Sequence, residues 1–300
     1  MLVRSGRYAE GATVWERGDT LARQHGDLEV LTWLQLPGVE RDVVFGDAAS
    51  ARARARSSLE SSEECATPQA RMVAHVVLGI AHRLSDEWNE AVATLEEALL
   101  AATTGANRMF EGLVRAELAI AVLGQGDVDR TEREAQTSVD VAHESYSRCD
   151  EVRGSLALAQ TQLIRANDPA LLRVEAALGR AQELIHETGG RAQQPELHEC
   201  RGRLAQLHGD LVAAELEIGL ARSMYEEMGA TEQVARLAAE SSSQETGTEM
   251  QCGQCLPACE EVFFRGFLIG ALRSSGALVA VAVVAAPALP PVSKMFLRPR

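Results

Sequence analysis

Residues 79–99 read Gly79-Ile80-Ala81-His82-Arg83-Leu84-Ser85-Asp86-Glu87-Trp88-Asn89-Glu90-Ala91-Val92-Ala93-Thr94-Leu95-Glu96-Glu97-Ala98-Leu99. A run with small and apolar residues breaks at Ser85-Asp86, and a second run follows with Val92, Leu95 and Leu99 at helical spacing. Two helices joined by a tight turn satisfy this pattern, whereas strand-like alternation is absent. The same turn recurs at Arg7, Asp47, Asp127, Asp168 and Asp210, so that neighbouring turns lie 39 to 42 residues apart. A fixed period of this length marks stacked supersecondary units, each burying its apolar face only against its neighbours.

Small residues keep their place within the period. Gly79, Ala119, Ala159 and Gly202 stand seven to nine positions before the turn, where a small side chain lets two helices approach closely. After the turn come Ala51, Ala91, Thr131 and Ala214, then Ser58, Ala98, Ser138, Gly179 and Ala221, two columns on one face of the second helix. Leu172 interrupts the first column, which makes the fifth repeat the least regular. Gly26-Asp27, Gly105-Ala106-Asn107, Gly189-Gly190 and Gly229-Ala230 end the second helices with residues suited to a left-handed cap.

Composition narrows the function. The net charge is −14, and residues 1–240 carry 39 acidic against 24 basic side chains, so the body repels phosphate backbones and nucleic acid is not expected as a partner. Lys294 is the only lysine, which removes phosphate-loop, kinase-strand and Schiff-base chemistry from residues 1–293. Cys65, Cys149 and Cys200 are scattered through helical pattern and form no disulfide framework with Cys252, Cys255 and Cys259, and no secretory signal opens the chain. A cytoplasmic location is expected.

The segments Asp86-Glu87-Trp88-Asn89-Glu90-Ala91-Val92 and Met224-Tyr225-Glu226-Glu227-Met228-Gly229-Ala230 resemble the tetratricopeptide (TPR) repeat family, in the long-period form found in large bacterial signalling proteins. The resemblance spans roughly residues 5–240. It implies an all-α, right-handed solenoid of helical hairpins over residues 1–240, with about five and a half repeats of about 40 residues. It also implies a non-enzymatic scaffold, part of a multidomain regulatory protein, that holds a protein or peptide in its groove. First-helix side chains that would line the groove are Arg71, His75, Arg115, Gln160, Gln162, Glu199 and Arg203. Residues 7–26 read as a second helix whose first helix is missing, which predicts an unpaired apolar face open to a partner or to self-association.

The body carries no recognisable catalytic constellation. Its histidines, His25, His75, His82, His143, His186, His198 and His208, fall in separate repeats without a metal-binding pair. Acidic pairs such as Glu96-Glu97 and Glu226-Glu227 read as solvated helix surface.

Residues 241–250 form a polar linker, and residues 251–300 a hydrophobic, cysteine-containing tail expected to be poorly ordered or partly helical. Cys252, Cys255 and Cys259 look like half a zinc ribbon, but the second cysteine pair is missing and no cofactor is expected. Glu260-Glu261-Val262-Phe263-Phe264-Arg265-Gly266-Phe267-Leu268 resembles the Glu-Glu-x-x-x-Arg motif of the CPBP intramembrane proteases, the CAAX prenyl endopeptidases. That resemblance implies catalytic roles for Glu260, Glu261 and Arg265 and makes a membrane protease fragment the alternative function. No histidine follows His208, so the family's later histidine motifs are absent and the fragment alone would be inactive. The apolar run from Ala277 to Leu289 is shorter than a spanning helix, leaving the tail as the one region suited to membrane contact.

Overall fold

The computed structural model describes residues 2–240. Within them the chain is an α-solenoid: α1 (Tyr8–His25), α2 (Leu28–Phe45), α3 (Ala48–Cys65), α4 (Pro68–Leu84), α5 (Trp88–Thr104), α6 (Arg108–Gly124), α7 (Val128–Glu144), α8 (Arg148–Arg165), α9 (Asp168–Thr188), α10 (Gln194–Leu207) and α11 (Leu211–Met228), then a closing helical stretch at 231–240. Consecutive helices pack in antiparallel hairpins. The even-numbered helices also touch one another in series, α2 to α4, α4 to α6, α6 to α8 and α8 to α10, forming an inner layer with the odd-numbered helices outside.

The turns obey a finer rule than the sequence period suggests. A residue with positive φ stands at positions 6, 26, 46, 66, 86, 106, 126, 146 and 166, one every 20 residues, and the series resumes at 189, 209 and 229. Each junction is one left-handed residue followed by a capping residue. Asp27, Asp47, Thr67, Asn107, Asp127, Asn167 and Asp210 accept a hydrogen bond from the backbone N–H three residues on, satisfying a donor the first helical turn leaves unpaired.

Two turn assignments from sequence shift by one residue. Asp86 is the left-handed residue with φ 59°, and Glu87 takes the cap position; in the fifth repeat Asn167 caps rather than Asp168. The outer-helix caps therefore fall at Arg7, Asp47, Glu87, Asp127 and Asn167, a spacing of 40 throughout, with 43 to Asp210. The small-residue column moves with them: Leu178, 2% exposed, occupies the place of Ser58, Ala98, Ser138 and Ala221, while Gly179 is exposed with no atom within 4 Å of where its Cβ would stand. The three extra residues lengthen α9 to 21 residues, and a short 3-10 turn at Arg191–Gln193 precedes α10.

Val39, Gly79, Ala119, Ala159 and Gly202 sit eight residues before each cap and are all buried. A Cβ on Gly79 would stand 2.5 Å from Leu95 Cγ, so this glycine sets the α4–α5 approach. The main core runs from α2 to α6 through Val39, Val73, Val77, Ile80, Leu95 and Leu118, and a second lies between α8, α9 and α10 around Leu156, Leu184 and Leu197.

The ends of the described chain meet on the inner side. Ala221, Tyr225, Ala230 and Leu237 form a cluster against which Val44 of α2 packs, and Gln233 Nε2 donates to the Val43 carbonyl at 3.4 Å. The face expected to lie bare before α1 is partly met by the chain itself. Residues 2–7 turn back through Gly6 N–H to Val3 O and Arg7 N–H to Leu2 O, and a Cβ on Gly11 of α1 would stand 3.5 Å from Val3.

Candidate interaction surface

Helix α2 faces α8 across the coil, and charged side chains fill the space between them. Glu40 on α2 accepts two hydrogen bonds from Arg4, from Nε at 3.2 Å and Nη2 at 2.6 Å, while Arg4 Nη1 lies 3.2 Å from Asp150 on α8. Arg153 on α8 donates to Glu117 on α6 at 2.7 Å and lies 3.6 Å from Glu40. Glu117 in turn accepts from Arg83 on α4 at 3.0 Å. A single chain of ion pairs thus joins the segment before α1 to α2, α4, α6 and α8. Burial pushes the Glu40 carboxyl up, but Arg4 and Arg153 outweigh it and hold the group below its ordinary range.

These side chains occupy the space between α2 and α8. Of the candidate groove residues, Arg71 is exposed on α4, away from the network. His75 and Arg115 serve their own hairpins, His75 Nδ1 lying 3.5 Å from Glu97 on α5 and Arg115 donating to Glu134 on α7 at 2.7 Å. Gln162 is buried, and neither amide atom of its side chain has a hydrogen-bond partner among the described residues. Arg71 and His75 stand one turn apart on α4, and none of the four joins the network.

Gln160, Glu199 and Arg203 do come together, where α8, α10 and residues 231–240 converge. Gln160 Nε2 donates to Glu196 at 2.8 Å. Glu199 accepts from the Tyr225 hydroxyl at 2.8 Å and from Arg236 Nη2 at 2.8 and 2.9 Å, with Arg203 at 4.0 Å. Glu196 is half-buried and has no cation within ion-pair distance among the described residues. Burial, with Glu199 as the next cause, pushes its carboxyl above the ordinary value. Burial likewise raises the Tyr225 hydroxyl and pushes the Cys200 thiol up to about 12, so neither is a poised nucleophile.

Glu196 and Arg236 were not among the sequence candidates, nor were Arg4, Glu40, Arg83, Glu117 and Arg153. Their signal is a charge or amide partner 34 to 37 residues away: Arg4 with Glu40, Arg83 with Glu117, Glu117 with Arg153, Gln160 with Glu196, Glu199 with Arg236. That separation is one repeat less one helical turn, the offset that aligns neighbouring inner helices.

Among the described residues no cluster of three or more histidine, cysteine, aspartate or glutamate side chains is arranged to hold a metal ion, and no helix is long and apolar enough to cross a membrane. Cys252, Cys255, Cys259, Glu260, Glu261 and Arg265, the candidate zinc and protease residues, lie outside the described residues.

No protein-family model matches the chain, and no curated protein matches it. Among solved structures it is similar to BtubC (BKLC) from P. vanneervenii, with a TM-score of 0.50 and 15% sequence identity over 74% of this chain and 90% of that one. At this identity the likeness concerns the fold alone.

Proposed function

We propose that the chain is a non-enzymatic, TPR-like scaffold that binds protein, acting in the cytoplasm as part of a bacterial multidomain regulatory protein, and that its partner presents a basic side chain to Glu196. The observation that carries this reading is the half-buried Glu196 carboxylate, held by Gln160 and crowded by Glu199, with no cation paired to it among the described residues. An incoming guanidinium or ammonium would offset, by direct attraction and hydrogen bonding, both the cost of burying the charge and the repulsion from Glu199. Arg236 and Tyr225 fix Glu199 beside it, which pre-organises the receiving surface. The acidic body disfavours nucleic acid in the same role.

The test is a panel of short peptides differing only in Arg, Lys or Gln at one position, titrated against the full chain and its Glu196→Gln variant by fluorescence anisotropy. Preference for the basic peptides should be present in the wild type and lost in the variant. Equal binding of basic and neutral peptides by the wild type would sink the reading.

A further inference from the structure

The contacts between successive hairpins define what each outer helix offers the hairpin that follows it. Counted from the cap, the second residue meets the end of the next inner helix, as Asn89 meets Gln125 at 2.9 Å and Asp129 meets Arg165 at 2.5 Å. The fifth meets the next outer helix, as Arg52 meets Glu87 at 2.6 Å and Glu132 meets Arg173 at 2.8 Å. The ninth does the same, as Glu96 accepts from Arg130.

On α11 these places are held by Val212, Glu215 and Gly219, with Leu216 and Leu220 beside them. They form a shallow apolar face: Val212 is 82% and Leu216 64% exposed, and Glu215 has no ion pair among the described residues. The corresponding residues of α7, Asp129, Glu132, Gln136 and Thr137, apart from Arg133, are acidic or uncharged polar, whereas those of α9, Pro169, Leu172, Ala176 and Ala177, apart from Arg173, are apolar like those of α11. The face is a receiving surface for one more outer helix.

At the other end, α1 is an outer helix with no hairpin before it among the described residues. Arg7, Glu10, Val14, Arg17 and Leu21 share the side that would contact a preceding outer helix, and all five are exposed, with Arg7 and Glu10 paired to each other at the surface. Arg7 takes the cap position in α1 that Glu87 takes in α5. The Arg52–Glu87 pair therefore maps onto a Glu215–Arg7 pair with the charges exchanged.

We infer that a second copy of the chain stacks its α1 on α11, head to tail, with Arg7 meeting Glu215 and the apolar side chains of both faces enclosed around them. The sequence beyond 240 carries no basic residue where the period would place a partner for Glu215. The position 40 residues after Asp210 is Met250, and the first basic residue beyond it is Arg265. Among the described residues the α11 face and this exposed side of α1 are uncovered, the chain's own contact between the two helices being confined to Tyr8 and Met228 at 3.9 Å, and the faces differ from each other, so the contact is heterologous and can repeat from copy to copy. The inference is independent of what Glu196 binds.

The experiment is sedimentation equilibrium of the full chain over a concentration series. The average mass should exceed that of a monomer and rise with concentration. Glu215→Arg, Arg7→Glu and Val212→Asp should each weaken association by at least about tenfold while moving the melting temperature little, because all three sites are exposed and the Arg7–Glu10 pair that Arg7→Glu removes is a surface pair. An equal mixture of the Glu215→Arg and Arg7→Glu chains should recover association, since each supplies the charge the other needs. A chain that stays monomeric, association untouched by these variants, or a mixture that fails to recover it would each overturn the inference.

Discussion

Arg153 on α8 reaches Glu40 on α2 across the interior of the coil, Nη2 to Oε1 at 3.6 Å, while its Nη1 holds Glu117 at 2.7 Å. One guanidinium therefore ties together helices that are far apart in the chain. Arg153→Met should leave two buried carboxylates short of a partner and cost about 3 kcal/mol, measured by urea denaturation. A double-mutant cycle with Glu40→Gln should show a coupling energy well above the scatter expected for independent sites. Strict additivity would mean that the link across the coil carries no energy.

Two carboxylates make opposite predictions about acid. Glu196 lies above its ordinary value of 4.5, so its ionised form costs the folded state more than the unfolded one, and wild-type stability falls as pH rises from 4.5 through the raised value. Glu196→Gln should melt higher than wild type at neutral pH, with the gain absent below 4.5. Glu40 lies below its ordinary 4.5, so its contribution is complete above 4.5 and is lost as pH falls through the lowered value. The deficit of Glu40→Gln should accordingly shrink in acid. Melting curves of both variants from pH 3 to 8 check the signs.

Gly79 and Leu95 define how closely α4 and α5 can pack. Alanine is the better helix former, yet Gly79→Ala should destabilise by about 1–3 kcal/mol because its methyl would collide with Leu95. Large residues at Ala91 or Ala214, 0% and 3% exposed, should cost a similar amount. The collision is specific, so Leu95→Ala should cost less in the Gly79→Ala background than alone. A neutral Gly79→Ala would remove the basis for the proposed approach.

Tyr146 occupies a turn position that glycine fills elsewhere. Its φ is 58° and its side chain is 80% exposed, so it has left-handed strain with little packing to offset it. Tyr146→Gly should raise stability by about 1 kcal/mol, read as a shift in the denaturation midpoint with unchanged slope. A loss of stability would show that the ring makes a contribution its exposure hides.

The hairpin architecture was legible because small residues and turn residues repeat in register, and each carries a local physical meaning. The register slipped at Asp86 and Asp168 for an equally physical reason. Aspartate suits both a left-handed turn residue and a helix cap, and Asn167-Asp168 offers two capping side chains in a row. The inner ion pairs within the repeat ladder were legible in principle, as partners one repeat less one turn apart. The Glu40–Arg153 contact was not, because it depends on how far the coil curves, a sum of small rotations that no local pattern encodes. Curvature likewise decides which first-helix side chains face the interior of the coil, while His75 and Arg115 pair with outer-helix glutamates of their own hairpins.

The meeting of Val44 with the closing helix changes how the chain should fold. A linear array can melt from either end, one unit at a time, because each unit depends only on its neighbours. Here the first inner helix and residues 230–237 share a cluster, and the Gln233–Val43 bond spans 190 residues of sequence. Loss of either end forfeits contacts made by the other, so thermal unfolding should be one cooperative transition rather than a staircase. Closing so long a loop should also make the last step of folding slow for an all-helical protein.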